Sequence, residues 1–444
     1  TYQPFGNDVS YEVEDIRICP DSGYAVIGTI LIDDWDRDGF MMKTDSDGNL
    51  LWANIDSVDF IPDPQPSGFV VLEDGSFITA GNHYWWNGNY LTKRNPIGET
   101  EWTIELDSDY SIYAIELTND GNMITTGSSM EGPVNLQKYD IDGNLVWRGT
   151  YLPIGFEYGA GLSVIQTSDN GYALTGAVHG DNNHDLLVIN TNSTGDSLWS
   201  RTFNGSENYR DIGNCIIENS ENELLVGGYI NENAIRDYYG YLIKMNSIGD
   251  TIWTRKFDTN YETSSIYSLL EYETDQYIIR STKLLIIDNN QDVVWDSELD
   301  WDLTYGYATG DRSFQKLLNN QYICIGEKNI NGSSIVISKT DSTGNIVKSD
   351  NLEILPVINY IKCFPNPFSS SISISFSTMN QNEGSRIEIY NIKGQKVDQL
   401  QILNYESGIN TITWNAGNRA SGIYFIQFLQ DNVIKDVEKV LIIK

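Results

Sequence analysis

The sequence predicts an all-β chain: a seven-bladed β-propeller of four-stranded blades, followed by an Ig-like antiparallel β-sandwich. Three observations predict it. A unit marked by a Trp recurs along the first 350 residues, with marker spacings of 50, 45, 52, 54 and 42. Every unit holds four short alternating or apolar runs with turn residues between them and no helical period. Beyond residue 360 the repeat stops and the charge balance changes.

The repeat begins Asp-x-Gly-Tyr, runs through an apolar stretch to Gly, and crosses a variable loop. It ends Lys-x-(Asp/Asn)-x-x-Gly-x-x-x-Trp. The first copy reads DSGYAVIG and then MMKTDSDGNLLW. Successive copies end at Trp52, Trp102, Trp147, Trp199, Trp253 and Trp295, and Val347 takes the place of the seventh Trp. The sixth copy is short and eroded, reading TDQYIIRS and LLIIDNNQDVVW. In the fourth copy the four runs are LSVIQT, YALTGA, LLVINT and SLWSRTF. Four strands in roughly 40–50 residues is what a propeller blade requires. Seven blades fill residues 1–350, a linker spans 351–360, and a separate module occupies 361–444. The opening TYQPFGNDVSYE is similar to RTFNGSENYRD after Trp199. An N-terminal strand is therefore expected to complete the last blade and remove its open edge.

The pattern Asp45…Gly48…Trp52, repeated as Asn192…Gly195…Trp199, resembles the tryptophan-docking motif of quinoprotein-like propellers. The resemblance implies the fold and not the quinone. The six Trp residues are read as structural, each burying about 150–250 Å² between blades.

The terminal module opens Phe364-Pro365-Asn366-Pro367-Phe368 and continues through alternating strands to Gly422 and Tyr424. This order resembles the type A sorting domain of type IX secretion substrates. The resemblance implies export through the type IX machinery to the surface or surroundings of a Gram-negative, Bacteroidetes-like bacterium. The N-terminus, Thr1-Tyr-Gln-Pro-Phe5, has no Met and no basic-then-apolar leader, as expected of a processed chain.

The chain carries 28 Lys+Arg against 62 Asp+Glu. Residues 361–444 hold 8 and 7 of these, leaving 20 and 55, a net −35, to the first 360. Such a surface repels nucleic acid and anionic membranes. No apolar run is long enough to span a bilayer as a helix. The four cysteines, Cys19, Cys215, Cys324 and Cys363, have no metal-site or redox spacing. The first three are expected as small buried hydrophobes.

In such blades the Asp/Asn-Gly turns lie on one face and the long variable loops on the other, where binding usually resides. Trp35 belongs to one of those loops, and Tyr84, Trp85 and Trp86 to the matching loop of the next blade. They are candidates for an aromatic ligand patch, or for rings folded back onto the blade tops. Asp34, Asp36 and Asp38 precede Gly39 in the spacing of a calcium loop, with Asp45 in the twelfth position. Because residue 38 opens an extended strand, Asp45 is expected to lie away from the others. The acidic-loop reading stands beside the calcium one. His83, His179 and His184 suggest no metal trio and are read as solvent-facing or turn-capping.

No catalytic signature for serine hydrolases, zinc proteases or phosphate-binding loops appears. Three function classes follow. The first is a surface propeller that binds a polysaccharide or a surface protein. The second is a structural protein of an extracellular assembly that self-associates and retains its sorting module. The third is a glycan lyase or hydrolase.

Overall fold

The computed structural model describes residues 2–5, 9–31, 37–55, 64–83, 88–107, 109–129, 132–180, 183–205, 210–232, 238–257, 265–281, 283–298, 314–317, 321–329, 333–340, 361–364, 366–378, 386–402, 408–417, 419–430 and 433–443. These residues form strands and turns with no helix. Two compact units are present, one over 7–352 and one over 353–444 together with Tyr2–Gly6.

In the first unit, seven antiparallel sheets follow one another at 10–55, 64–105, 110–151, 158–203, 212–256, 268–298 and 314–339. These are blades 1 to 7. The first six have four strands each, paired in chain order, and the seventh has three described strands. The innermost strand of each blade packs on that of the next, from Ser10–Ile18 through Pro64–Val71 onward. Ser10–Ile18 also packs against all three described strands of blade 7, and the Ile18 amide donates to Gln315. The ring closes through this packing. The fourth strand expected from the N-terminus is not found for blade 7 among the described residues: Tyr2–Gly6 group with the second unit.

Among the described residues, six hydrophobic clusters each join two neighbouring blades. One, for example, unites Cys19, Ile27 and Met41 of blade 1 with Phe69 and Phe77 of blade 2. The core therefore lies between blades, because a four-stranded sheet alone cannot cover either of its faces. All four cysteines are buried, and none is joined in a disulfide.

The repeat motif maps onto the contacts between blades. Trp52 lies on the turn of blade 2 that holds Gly98, and its indole N–H donates to Pro96 O at 3.3 Å. Trp199 lies in the same way on Gly249 of blade 5 and donates to Ser247 O at 3.0 Å. Trp147 covers Gly195 of blade 4, where an added Cβ would stand 2.6 Å from the ring. These glycines have φ of 83–86°, a region that side chains disfavour. The Asp or Asn that opens each turn fixes it from within. Asp45, for instance, accepts from the amides of Asp47 and Asn49 at 3.0 and 2.8 Å.

The repeated Lys is buried and held by charge. Lys43 pairs with Asp21 of its own blade. Lys138 pairs with Asp120 at 2.6 Å and donates to the Tyr172 hydroxyl of the next blade at 3.1 Å. Lys244 bridges Glu223 at 2.7 Å and Asp275 of the next blade at 2.9 Å. Blade 4 carries Asn190 at the Lys position, and blade 6 departs further. Ile286 replaces the Lys, and the Tyr322 hydroxyl of blade 7 is buried with no partner among the described residues. Gln291 takes the turn position at φ 68°, and the buried indole N–H of Trp253, one blade earlier, has no described partner.

In the second unit, a three-stranded sheet (Ile361–Phe364, Ser371–Thr378, Gly408–Asn415) and a four-stranded sheet (Lys396–Gln401, Arg386–Asn391, Gly422–Gln430, Val433–Ile442) enclose one core. Trp414, Phe368, Phe376, Ile426 and Phe428 fill it.

Two comparisons test these contacts. Gly195→Ala adds a clash to a disfavoured φ and should cost about 2–4 kcal/mol, while Gly121→Ala meets open space and should cost about 1 kcal/mol. Urea titration of both variants measures the difference. Tyr172→Phe removes a hydrogen bond to a buried ammonium and should destabilise by about 1–3 kcal/mol. Tyr322→Phe removes an unpaired hydroxyl and should be neutral or stabilising in the same assay.

Candidate functional site

Innermost strands begin, second strands end and third strands begin on the loop face. In blade 4 this brings three rings together. Tyr158 pairs directly with His179, and His179 pairs directly with His184. The Tyr158 ring stacks on His179 with centroids 4.4 Å apart and planes at 25°. The two imidazoles are 4.5 Å apart, and Tyr158 meets His184 edge-on at 6.3 Å.

These rings border an open cleft of about 880 Å³ between blades 3 and 4. Ser111, Tyr113, Ser128 and Ser129 of blade 3 line its other wall with hydroxyls. The Ser128 hydroxyl donates to the Tyr113 oxygen at 3.3 Å. Exposed Glu157 stands at the rim, its amide held by His179 O at 2.7 Å.

Charge at this site departs from ordinary values. Burial, with His179 and Arg210 close by, pushes the His184 imidazole down to about 4. Burial also raises the Asp211 carboxyl to about 6, against the lowering effect of amides from Gly205 and Asn231 at 2.6 and 2.7 Å. Asp185, beside His184 in the strand, is likewise raised by burial.

The histidines differ from their sequence-based expectation. Residues 178–185 read as a variable loop, but the strands Tyr172–Gly180 and Asn183–Thr191 run nearly to its centre, with Gly180 opposite Asn183. His179 and His184 are half-buried partners across a hairpin, not solvent-facing caps. The signal was the Gly-Asp-Asn-Asn run at 180–183, a composition suited to a two-residue hairpin turn.

Of the other candidates, Trp35, Tyr84, Trp85, Trp86, Asp34 and Asp36 lie outside the described residues. Asp38 is half exposed and pairs with Ile30 early in the strand Arg37–Thr44. Asp45 follows the far end of that strand, roughly 20 Å away at about 3.3 Å per residue, with its carboxylate engaged by its own turn.

In the terminal unit, Asn366 and Phe368 run along the edge of the last strand. Asn366 accepts from the Leu441 amide and donates to Lys439 O, both at 2.9 Å. The Phe368 amide donates to Leu441 O at 3.0 Å, and its carbonyl accepts from Ile443 at 2.9 Å. Asn366-Pro367 is a cis bond. The Phe368 and Tyr424 rings both pack on Trp414, at 5.7 and 5.8 Å. Gly422 has φ 151°, which glycine alone adopts readily. Phe364 belongs to the strand Ile361–Phe364, and Pro365 lies outside the described residues.

Comparison with known proteins bears on this unit directly. Residues 362–444 match the family described as the secretion system C-terminal sorting domain. They are a type IX sorting domain. The sorting domain marks the protein for secretion to the cell surface or extracellular space of Bacteroidetes-type bacteria. No curated protein matches the chain. Among solved structures, a puromycin hydrolase variant is similar at 10% identity and TM-score 0.50, covering 84% of this chain and 60% of its own. PorZ, a surface component of the type IX secretion system of Porphyromonas gingivalis, is similar at 12% identity and TM-score 0.46. That alignment covers 100% of this chain and 60% of PorZ. A protein of unknown function from Bacteroides caccae aligns at 14% identity and TM-score 0.39, over 59% of this chain and 89% of its own. Likeness at these identities concerns the fold alone.

The state of His184 can be read directly. Its imidazole should stay neutral until pH about 4, where a free histidine titrates near 6.5. Between those values the unfolded chain takes up a proton that the folded chain refuses, so acidification across this window should weaken the fold at this residue. A proton NMR titration of the three imidazoles checks the midpoint.

Proposed function

We propose that the protein is a surface-displayed or released binder of a neutral polysaccharide, and that the sugar lies in the cleft between blades 3 and 4. The observation that supports this reading is the make-up of the cleft. Tyr158 offers a flat ring to the apolar face of a sugar, and the hydroxyls of Ser111, Ser128, Ser129 and Tyr113 face its polar edges. A volume of about 880 Å³ falls in the range of small-ligand sites. The net −35 of the first 360 residues disfavours polyanionic chains. Trp35, Tyr84, Trp85 and Trp86, which the sequence assigns to variable loops, are proposed as a second contact for a long chain.

Glycan-array screening of the full chain should identify a neutral ligand, and calorimetry should give its affinity. Tyr158→Ala should lower that affinity by about tenfold or more, while Tyr158→Phe should change it little. Unaltered binding in Tyr158→Ala would move the ligand out of this cleft. Loss in the Trp85→Ala, Trp86→Ala double variant alone would move it to the loop patch.

A further inference from the structure

We propose that His179 and His184 form a two-nitrogen site for a borderline transition-metal ion, of the Zn2+ or Cu2+ kind, at the mouth of the blade 4 cleft. Directly opposed residues on paired antiparallel strands have Cβ atoms about 4.5–5.5 Å apart. At that spacing two imidazoles can converge on one ion with little movement. Here the ring centroids are 4.5 Å apart, with the planes tilted at 55°.

Two further observations favour an ion. Nδ1 of His179 is buried and has no partner among the described residues. A buried polar atom left unpaired points to a missing water or ion. Tyr158 stacks on His179 and limits the turning of that ring. The remaining coordination positions open into the cleft, where water or a ligand can fill them.

The donor atoms set the class of metal. Imidazole nitrogen suits Zn2+, Cu2+ and Ni2+, whereas Ca2+ and Mg2+ take oxygen. Arg210 is in register with His184 and opposes a cation. The wider charge of −34 and the neighbouring Asp185 and Asp211 favour one. Among the described residues one cluster of three acidic ligands exists, Glu221, Glu223 and Asp275, and the Lys244 ammonium already bridges two of them. The histidine site stands whether or not the cleft takes a sugar, since metal binding is measured without carbohydrate.

The test uses the full chain, titrated with Zn2+ and separately with Cu2+. One equivalent should bind in the presence of excess Ca2+, and the Cu2+ electron paramagnetic resonance spectrum should show two nitrogen ligands. His179→Ala and His184→Ala should each weaken binding by about tenfold or more, with thermal melts confirming that both remain folded. His179→Gln, which keeps more of the side-chain volume, should weaken it likewise. His83→Ala should leave it unchanged. Displacement by Ca2+, equal binding in the double His179→Ala, His184→Ala variant, or no binding to the folded wild type would each overturn the site.

Discussion

The docking of a Trp in each of blades 1 to 4 onto the glycine turn of the next blade is the constraint on which the ring depends. A single blade has two apolar faces and no means of burying either. The indole seals the outer end of each interface, while the buried clusters fill the middle. Hydrogen bonds from Trp52 and Trp199 to turn carbonyls fix the register of one blade on another. Close approach of a flat ring to a backbone with positive φ leaves room for hydrogen alone. The Gly and the Trp of the motif are therefore two halves of one contact, made by successive copies of the repeat. In blades 3 and 5 the Lys acts in parallel, joining its own turn acid to the Tyr of the following blade.

Erosion of the repeat in blade 6 shows what that coupling contributes. With Ile286 in place of Lys, the next blade retains a buried Tyr hydroxyl that nothing described satisfies. At the turn where Gln291 stands in place of Gly, the preceding Trp253 has a buried indole N–H with no described partner. Each loss falls on the neighbour of the altered blade, as a nearest-neighbour array requires.

The propeller and its blade boundaries were legible because the repeat wrote the same chemistry many times. Trp, Gly, Lys and Asp at fixed offsets reported interfaces that local propensity could not. The sorting domain was legible for a related reason, since Asn366, Phe368, Gly422 and Tyr424 serve backbone pairing and packing on one Trp. The cleft was not legible. Its rings come from three strands of one blade, and their meeting depends on a hairpin that extends through what read as a loop. Tyr158 carried no mark of its own, and only register sets it against His179.

The edge of the sorting domain's last strand is already occupied near its end. Asn366 and Phe368 take up the hydrogen-bonding groups of Lys439, Leu441 and Ile443, as a short extra strand would. A partner approaching that end therefore has no free backbone to extend as a sheet. What remains on offer is the outward row of Ile423, Phe425, Val437 and Leu441, all exposed apolar side chains of the last two strands. Recognition at this end of the module must run through side-chain shape and apolar contact, and not through strand addition.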